Sequence, residues 1–345
     1  MPQGPTRAHR KHPVTGRARQ VLEDLYGFDA ELTPLYGELD DNFLAVSATG
    51  EKRILKLMHE GASAQRVDLQ CCALAHLAEL AGDPRLPVVI PTRAGERFAS
   101  ASIGAAERIV WSLTFCPGTP LSEFAPQSRA LLRTFGRSLG RIDRALESFT
   151  HPAMHQDHQW QLTRAGEARR HLGHMSDDAA GQLAAVLGRF DDAVAGQLTG
   201  LPHGVIHNDA NDDNALVNVS DDGEARVDGL IDFGDISYQP RICEVAIALA
   251  YVVLRKNEPL EACAAFLQGY NAVVPVGDAE LAVLLDLIRT RLAVSIAIAA
   301  ARRIEGPACG FDSFDRRPAE SALTRLAAIP PRDAERSFRR ACAGS

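Results

Sequence analysis

Between Asn214 and Asp232 the chain has to double back. ALVNV (215–219) and ARVDGLI (225–231) read as two strands, and SDDG (220–223) lies between them. Asp222-Gly223 is a strong hairpin signal, because glycine adopts the left-handed backbone of a tight turn without steric cost. Antiparallel pairing through that turn places the far ends of the strands side by side. Asn214 and Asp232 are therefore expected to be neighbours, with Asp209 close upstream. The preceding stretch, HGVIHNDANDDN (203–214), is crowded with carboxylates and carboxamides. Asn and Asp favour turns and caps over helix or strand interiors, and the ionised acids repel one another. A positive partner would justify the crowding. Two anionic oxygens and one amide oxygen at the end of a hairpin suit a hard cation such as Mg²⁺.

Composition narrows the field. The 345 residues are 46% hydrophobic, enough for a sizeable core and for two domains or lobes. A net charge of -7 argues against a nucleic-acid partner, which needs a positively charged face. Residues 1–20 carry a local excess of base and are expected to be a solvated, disordered tail. The start has no apolar secretory segment, and apolar runs such as 245–254 are too short to span a bilayer. Seven irregularly spaced cysteines with no CxxC pair suit reduced thiols in the cytoplasm.

The expected architecture is α+β: a small sheet-rich lobe over 21–116 and a larger helical lobe over 117–345. In the first, 42–48 and 51–58 flank a Thr49-Gly50 turn and form a hairpin. Residues 62–81 show helical spacing, and 108–115 form a further strand. In the second, helices are expected over 128–149, 156–172, 177–199, 242–255, 259–271 and 278–304.

The order His207-x-Asp209-x4-Asn214, hairpin, Asp232-Phe233-Gly234 resembles the catalytic loop and metal-binding triplet of the protein-kinase-like superfamily. HNDANDDN with GLIDFGD looks most like its aminoglycoside phosphotransferase and choline kinase branch, and within that branch the hydroxylysine kinase group. The resemblance runs from about residue 26 to 303 and implies a bilobal kinase-like fold with a nucleotide donor, ATP or GTP, and Mg²⁺. It gives Asp209 the proton of the attacking hydroxyl, and Asn214 and Asp232 the metal. His207 would brace the loop. Asp235 would assist a metal or meet an amine, and Glu244 would tie the following helix to the catalytic loop.

The resemblance also asks for a lysine on a strand of the small lobe to grip the α- and β-phosphates. Lys56 in RILKLM (53–58) alternates onto the face of Ile54 and Met58, where an unpaired ammonium is costly. Its usual glutamate partner is replaced: the helix register puts Gln70 there, which accepts a hydrogen bond but carries no charge. The phosphate-covering turn, 36–42, has the single glycine Gly37, with Asn42 at its end. Trp111 and Leu113 fall in the stretch aligned with the purine-holding connector. Gln70 and the lone glycine also motivate a rival reading, a catalytically inactive nucleotide-binding scaffold.

Asn208 precedes Asp209, where phosphorylation-controlled protein kinases carry arginine, and only 235–241 separate Gly234 from an apolar helix. No peptide-docking activation segment fits in that space. The expected acceptor is thus a small hydroxyl compound. Asp212, Asp213, Asp235 and Glu244 would favour an amine on it, and the resemblance implies hydroxylysine or another hydroxylated amino acid. Aminoglycoside, homoserine or choline-type acceptors are the alternatives. A carboxylate on the acceptor would suit one of Arg289 and Arg291 on helix 278–304, although a structural ion pair is the simpler account of them.

Overall fold

The computed structural model describes residues 14–80, 83–305 and 316–344. The chain divides into two compact units, one of residues up to Cys71 with Pro87–Phe115, the other of Cys72–Leu86 with the chain from Cys116 onward.

The first unit opens with α1 (Thr15–Tyr26), whose Ala18, Val21, Leu22 and Tyr26 recur at helical spacing and are buried. Gly27, at φ 64°, ends it and returns its N–H to the Glu23 carbonyl. The basic stretch expected to be a tail to residue 20 is therefore helical from Thr15. The apolar residues interleaved with its arginines give it a buried face, and Arg19 pairs with Asp29. The rest of that stretch, 1–13, lies outside the described residues.

Strands β1 (Glu31–Leu35), β2 (Asp41–Val46) and β3 (Lys52–Leu57) form a meander, followed by α2 (Ala64–Leu77), in which the division between the units falls. Strands β4 (Val89–Ile90), β5 (Ala99–Ile103) and β6 (Ala106–Thr114) complete the sheet. Its order is β1-β2-β3-β6-β4 with β5 also on β6, and every pairing is antiparallel. The Thr49-Gly50 hairpin sets Val46 opposite Lys52. Phe43, Ala45, Leu55 and Leu57 join the buried residues of α1 in one core.

The second unit is mainly helical. Strand β7 (Thr119–Pro120) leads to α3 (Arg129–Leu146), capped by the Ser128 hydroxyl accepting from the Leu131 N–H. The region expected as helix 156–172 is instead a 3₁₀ helix over Leu162–His174, with Leu162, Ala165 and Ala168 buried. That spacing of three matches a helix of three residues per turn. Next come α4 (Asp177–Arg189), a π-helical turn, α5 (Ala195–Leu198), β8 (His203–Ile206), β9 (Ala215–Val219), β10 (Ala225–Leu230) and β11 (Ser237–Pro240). They precede α6 (Ile242–Val252), α7 (Pro259–Asn271), α8 (Asp278–Glu305), α9 (Arg316–Ala327) and α10 (Pro331–Ala343).

Helices α3 and α7 touch backbone to backbone through two glycines. A Cβ at Gly136 would lie 2.0 Å from the Phe266 carbonyl oxygen, and one at Gly269 would lie 1.9 Å from that of Arg133. The apolar α6 is buried along nearly its whole length. Of the paired arginines on α8, Arg289 is structural. It donates to the carbonyls of Leu326 and Ile329, at 2.6 and 2.9 Å, and closes the end of α9. Among the described residues, no helix is long and apolar enough to cross a membrane.

Candidate active site

Strands β9 and β10 pair antiparallel, with a bulge at Asp228 that shifts the register so that Leu230 lies opposite Ala215. Gly223 turns the hairpin at φ 83°. One step beyond the ladder, the Ile231 N–H donates to the Asn214 carbonyl at 3.0 Å. Asn214 and Asp232 thus flank one hydrogen bond at the open end of the ribbon. A second antiparallel pair, β8 with β11, sets Ser237 opposite Ile206. It draws the segment after His207 and the turn after Asp232 to one place.

The loop 207–214 is held by its own side chains. The Nδ1 of His207 accepts from the Asp209 N–H at 3.2 Å, so the ring proton sits on Nε2 and is donated to the Ile231 carbonyl at 3.0 Å. The imidazole also meets the Phe233 ring edge-on at 4.4 Å. Full burial brings its pKa down to about 4, against the opposing pull of Asp232. His207 is a neutral strut between loop and hairpin.

Two non-glycine residues here have left-handed backbone, Asn208 at φ 67° and Asp232 at φ 65°. Asn and Asp tolerate that region better than most, yet it still costs energy and persists only where neighbours enforce it. At Asn208 the enforcement is visible. Its N–H donates to Glu244 Oε2 at 2.8 Å, and its side-chain oxygen accepts from Gln239 at 2.6 Å. Glu244 is fully buried on α6 under the loop, so it supports the loop and does not meet an acceptor amine. Its pKa is raised, by burial first and then by Asp143.

Asp209 is the most engaged acid. Oδ2 accepts from Asn211 at 3.0 Å and from Asn214 at 2.9 Å, while Oδ1 faces Arg291 Nη2 at 3.0 Å. Its side chain keeps 22% exposure, so the carboxylate is reachable. Burial raises its pKa. Asp235 and Asp232 add to the rise, and Arg291 and Asn211 oppose it. Asp235 pairs with His158 at 3.3 Å. Asp212 is buried, pushed up to about 7 by burial and then by Asp213, and is attracted to Arg255 and Lys256. Asp213 accepts from the Ser122 hydroxyl at 2.5 Å.

The donor set at the ribbon's end suits a hard divalent cation. Both Asn214 side-chain bonds to Asp209 run through Nδ2, to the carbonyl and to the carboxylate, which leaves Oδ1 as a neutral oxygen donor. Asp232 adds a carboxylate. Asp235 and Asp232 both repel charge on Asp209, and Arg291 opposes them.

The remaining sequence-predicted residues belong to the first unit. Lys56 is buried on β3, opposite Asn42 on one side and Trp111 on the other, with its ammonium 5.7 Å from the indole centroid. Gln70 is buried on α2. A Cβ on Gly37 would lie 2.1 Å from the Asp40 carbonyl oxygen, so only glycine fits. The Asn42 amide braces that turn by donating to the Tyr36 carbonyl at 3.1 Å. Trp111 and Leu113 are strand residues of β6. The indole fills the core, and Leu113 pairs with Ile54 and Val89 on its two flanks. A connector would begin only after Thr114, where the strand stops.

The profile of the phosphotransferase enzyme family matches residues 31–284, most of the chain. The chain belongs to this family. It is similar to hydroxylysine kinase of Mus musculus, 28% identical over 309 residues that cover 82% of this chain and 81% of the relative. Among solved structures it is similar to a microcompartment-associated aminopropanol kinase, with a TM-score of 0.67 at 18% identity, covering 95% of this chain and 98% of that one. It also resembles the amicoumacin kinase hAmiN, with a TM-score of 0.66 at 16% identity, covering 93% and 92%. The fold is that of the protein-kinase-like small-molecule kinases, and the protein is a phosphotransferase that uses a nucleotide donor and a hydroxyl acceptor.

Sequence reasoning did not foresee that Arg291 reaches Asp209. Two residues separated by 82 positions cannot be paired from local pattern. Its signal was only an arginine among apolar residues of α8, where a buried cation requires a partner. Helices α9 and α10 were also missed. Their arginine-rich faces mask short buried stripes, Ala319, Ala322, Leu323 and Leu326 in one and Ala334, Phe338 and Ala341 in the other.

Proposed function

We propose that this protein transfers the γ-phosphoryl group of ATP or GTP to the hydroxyl of a small amino-containing acceptor, a hydroxylated amino acid such as hydroxylysine. The observation that carries this reading is the convergence of Asp209, Asn214 and Asp232 at the open end of the β9–β10 ribbon.

Asp209 acts as the proton acceptor. Two amide donors hold Oδ2 and Arg291 faces Oδ1, while burial raises the pKa and makes the carboxylate a better base than a surface aspartate. The acceptor hydroxyl loses its proton to this carboxylate as its oxygen bonds to phosphorus, and the nucleoside diphosphate leaves. Asn214 Oδ1 and Asp232 would hold Mg²⁺, which when bound neutralises charge on the transferring phosphate oxygens. Lys56 would grip the donor phosphates, with the Gly37–Asn42 turn covering them. His207 and Glu244 keep the loop in shape. Positioning and charge neutralisation supply most of the acceleration in phosphoryl transfer. The similarity to hydroxylysine kinases supports the acceptor class.

A coupled nucleotide-consumption assay tests this reading with ATP and GTP over hydroxylated amino acids, amino alcohols and aminoglycosides. Wild type should turn over at least one hydroxylated amino acid. Asp209→Ala should lower kcat by about 10²–10⁴ and leave nucleotide affinity within a few-fold. Equal rates in the two proteins would remove Asp209 from its role. Nucleotide binding without consumption for any acceptor would favour the inactive-scaffold reading.

A further inference from the structure

We infer that Arg291 is the carboxylate-recognising residue of the acceptor site, so that this kinase selects acceptors carrying a carboxylate over the corresponding amines. The inference deepens the reading of the protein as a kinase of hydroxylated amino acids and rests on it for the reacting hydroxyl.

Arg291 is only 2% exposed, yet it lies at a reactive carboxylate. Its guanidinium is 4.9 Å from the Trp160 ring centroid and 5.8 Å from that of Tyr251. Nη1 donates to the Trp160 carbonyl at 3.2 Å, and Nη2 donates to Asp209 Oδ1 at 3.0 Å. Nε is buried and makes no hydrogen bond among the described residues. Leaving a charged donor buried and unmet is costly, and native proteins rarely keep such a group without a ligand or water to meet it.

The position of Nε says what would meet it. The N–H groups of guanidinium point outward in a fixed planar fork, and Nε–H lies along the same edge as one of the terminal nitrogens. That fork matches the two oxygens of a carboxylate, and Asp209 now takes part of it with Oδ1. The acceptor hydroxyl must sit at Asp209 to lose its proton. An anionic group on the same small molecule is then within reach of the adjacent guanidinium.

A second cation strengthens the case. Arg302, eleven residues further along α8, also turns towards Trp160, with its guanidinium 5.7 Å from the ring centroid. The two heads are therefore no further apart than their ring distances combined, although their Cα atoms are separated by about 16 Å of helix. Two like charges around one indole favour an anion beside them. Ser295, on the same side of α8, shares a 3.3 Å hydrogen bond with the Tyr251 hydroxyl and adds a polar wall.

The test compares amino acids with the same molecules lacking the carboxylate. Calorimetric titration of the full chain, with a non-hydrolysable nucleotide analogue and Mg²⁺, would use three pairs. These are lysine with 1,5-diaminopentane, homoserine with 3-aminopropan-1-ol, and threonine with 1-aminopropan-2-ol. Wild type should bind the amino acid of at least one pair ten-fold or more tighter than its amine. Arg291→Met should cut that advantage below three-fold, and Arg291→Lys should keep part of it. Equal binding of both members in every pair, no binding in any pair, or equal weakening of both members by Arg291→Met would overturn the inference. The last result would leave Arg291 as a positioning residue for Asp209 only. The wild-type comparison decides the carboxylate preference even where a variant fails to fold. Lysine has no hydroxyl to phosphorylate, so its pair reads recognition apart from chemistry. A carboxylate preference without nucleotide consumption by any hydroxylated acceptor would sink the kinase reading and leave the recognition standing.

Discussion

The side-chain amide of Asn214 donates to both the carbonyl and the carboxylate of Asp209, at 2.9 Å each. On the proposed reading, one residue orients the proton acceptor with its nitrogen and would offer its oxygen to a cation. Replacing it should damage both functions together. Asn214→Ala should lower kcat by about 10²-fold or more, the scale of losing an organising group at a phosphoryl-transfer site, and should raise the Mg²⁺ concentration needed for half-maximal rate. Asn214→Asp should restore a metal oxygen but set a carboxylate against Asp209 Oδ2, so metal affinity should recover further than turnover. Steady-state rates over a Mg²⁺ titration check both. Equal recovery of rate and metal affinity in Asn214→Asp would show that the amide nitrogen does not orient Asp209.

His207 imposes a pH dependence on stability. Its folded pKa of about 4 lies below the ordinary histidine value of 6.5. Below pH 6.5 the unfolded chain binds a proton that the native state refuses until about pH 4. Stability from this group is therefore full above pH 6.5 and is lost as pH falls towards 4, with a span on the order of 3 kcal/mol. Asp143 and Asp212, both raised to about 7, act with the opposite sign, since their ionisation weakens the fold as pH rises through that value. Both remain in a His207→Asn variant, so the difference between wild type and variant isolates the histidine. Urea unfolding from pH 4 to 8 should show the wild-type advantage shrinking as pH falls. A constant difference would mean that His207 is not held neutral.

The contact between α3 and α7 admits no side chain at two positions. Gly269→Ala would press a methyl against the Arg133 carbonyl, and Gly136→Ala would press one against that of Phe266. Each should destabilise by about 1–3 kcal/mol or more, the usual cost of overpacking, despite alanine's higher helix propensity. Gly181 on α4 has open space at its Cβ, and Gly181→Ala should be neutral or mildly stabilising. Thermal unfolding midpoints of the three variants give the comparison. A neutral Gly269→Ala would show that the helices can separate at little cost.

The parts of the site written in local sequence were legible. The β9–β10 hairpin is specified by Asp222-Gly223 and two short apolar strands, so the meeting of Asn214 and Asp232 followed from turn chemistry. Helices α7 and α8 were legible as long apolar stretches opened by Pro259 and by Asp278 with Glu280. What stayed hidden depended on distant partners. Arg291 looked like an isolated cation until the fold put it on Asp209, whereas its near neighbour Arg289 turned to the end of α9. The stretch 156–172 read as a helix, and the 3₁₀ form over Leu162–His174 stayed hidden because short apolar residues three apart fit either period over so few turns. Strand β5, Ala99–Ile103, is built of small residues and owes its conformation to pairing with β6 rather than to its own propensity.

Glu244 offers a sharper test of how the loop is held. It is fully buried, it accepts the Asn208 N–H at 2.8 Å, and burial raises its pKa, which favours the neutral acid. A neutral isostere should therefore serve nearly as well. Glu244→Gln keeps an oxygen for the Asn208 N–H and should change both kcat and the unfolding midpoint little. Glu244→Ala would leave that N–H without an acceptor beneath a left-handed residue, at a cost of about 1–3 kcal/mol for the unmet donor. Because Asn208 immediately precedes Asp209, the relaxed loop should also lower kcat while leaving nucleotide affinity unchanged. Paired unfolding and rate measurements distinguish the two variants. If Glu244→Gln proved as damaging as Glu244→Ala, the group would have to act as a charge and not as a hydrogen-bond acceptor.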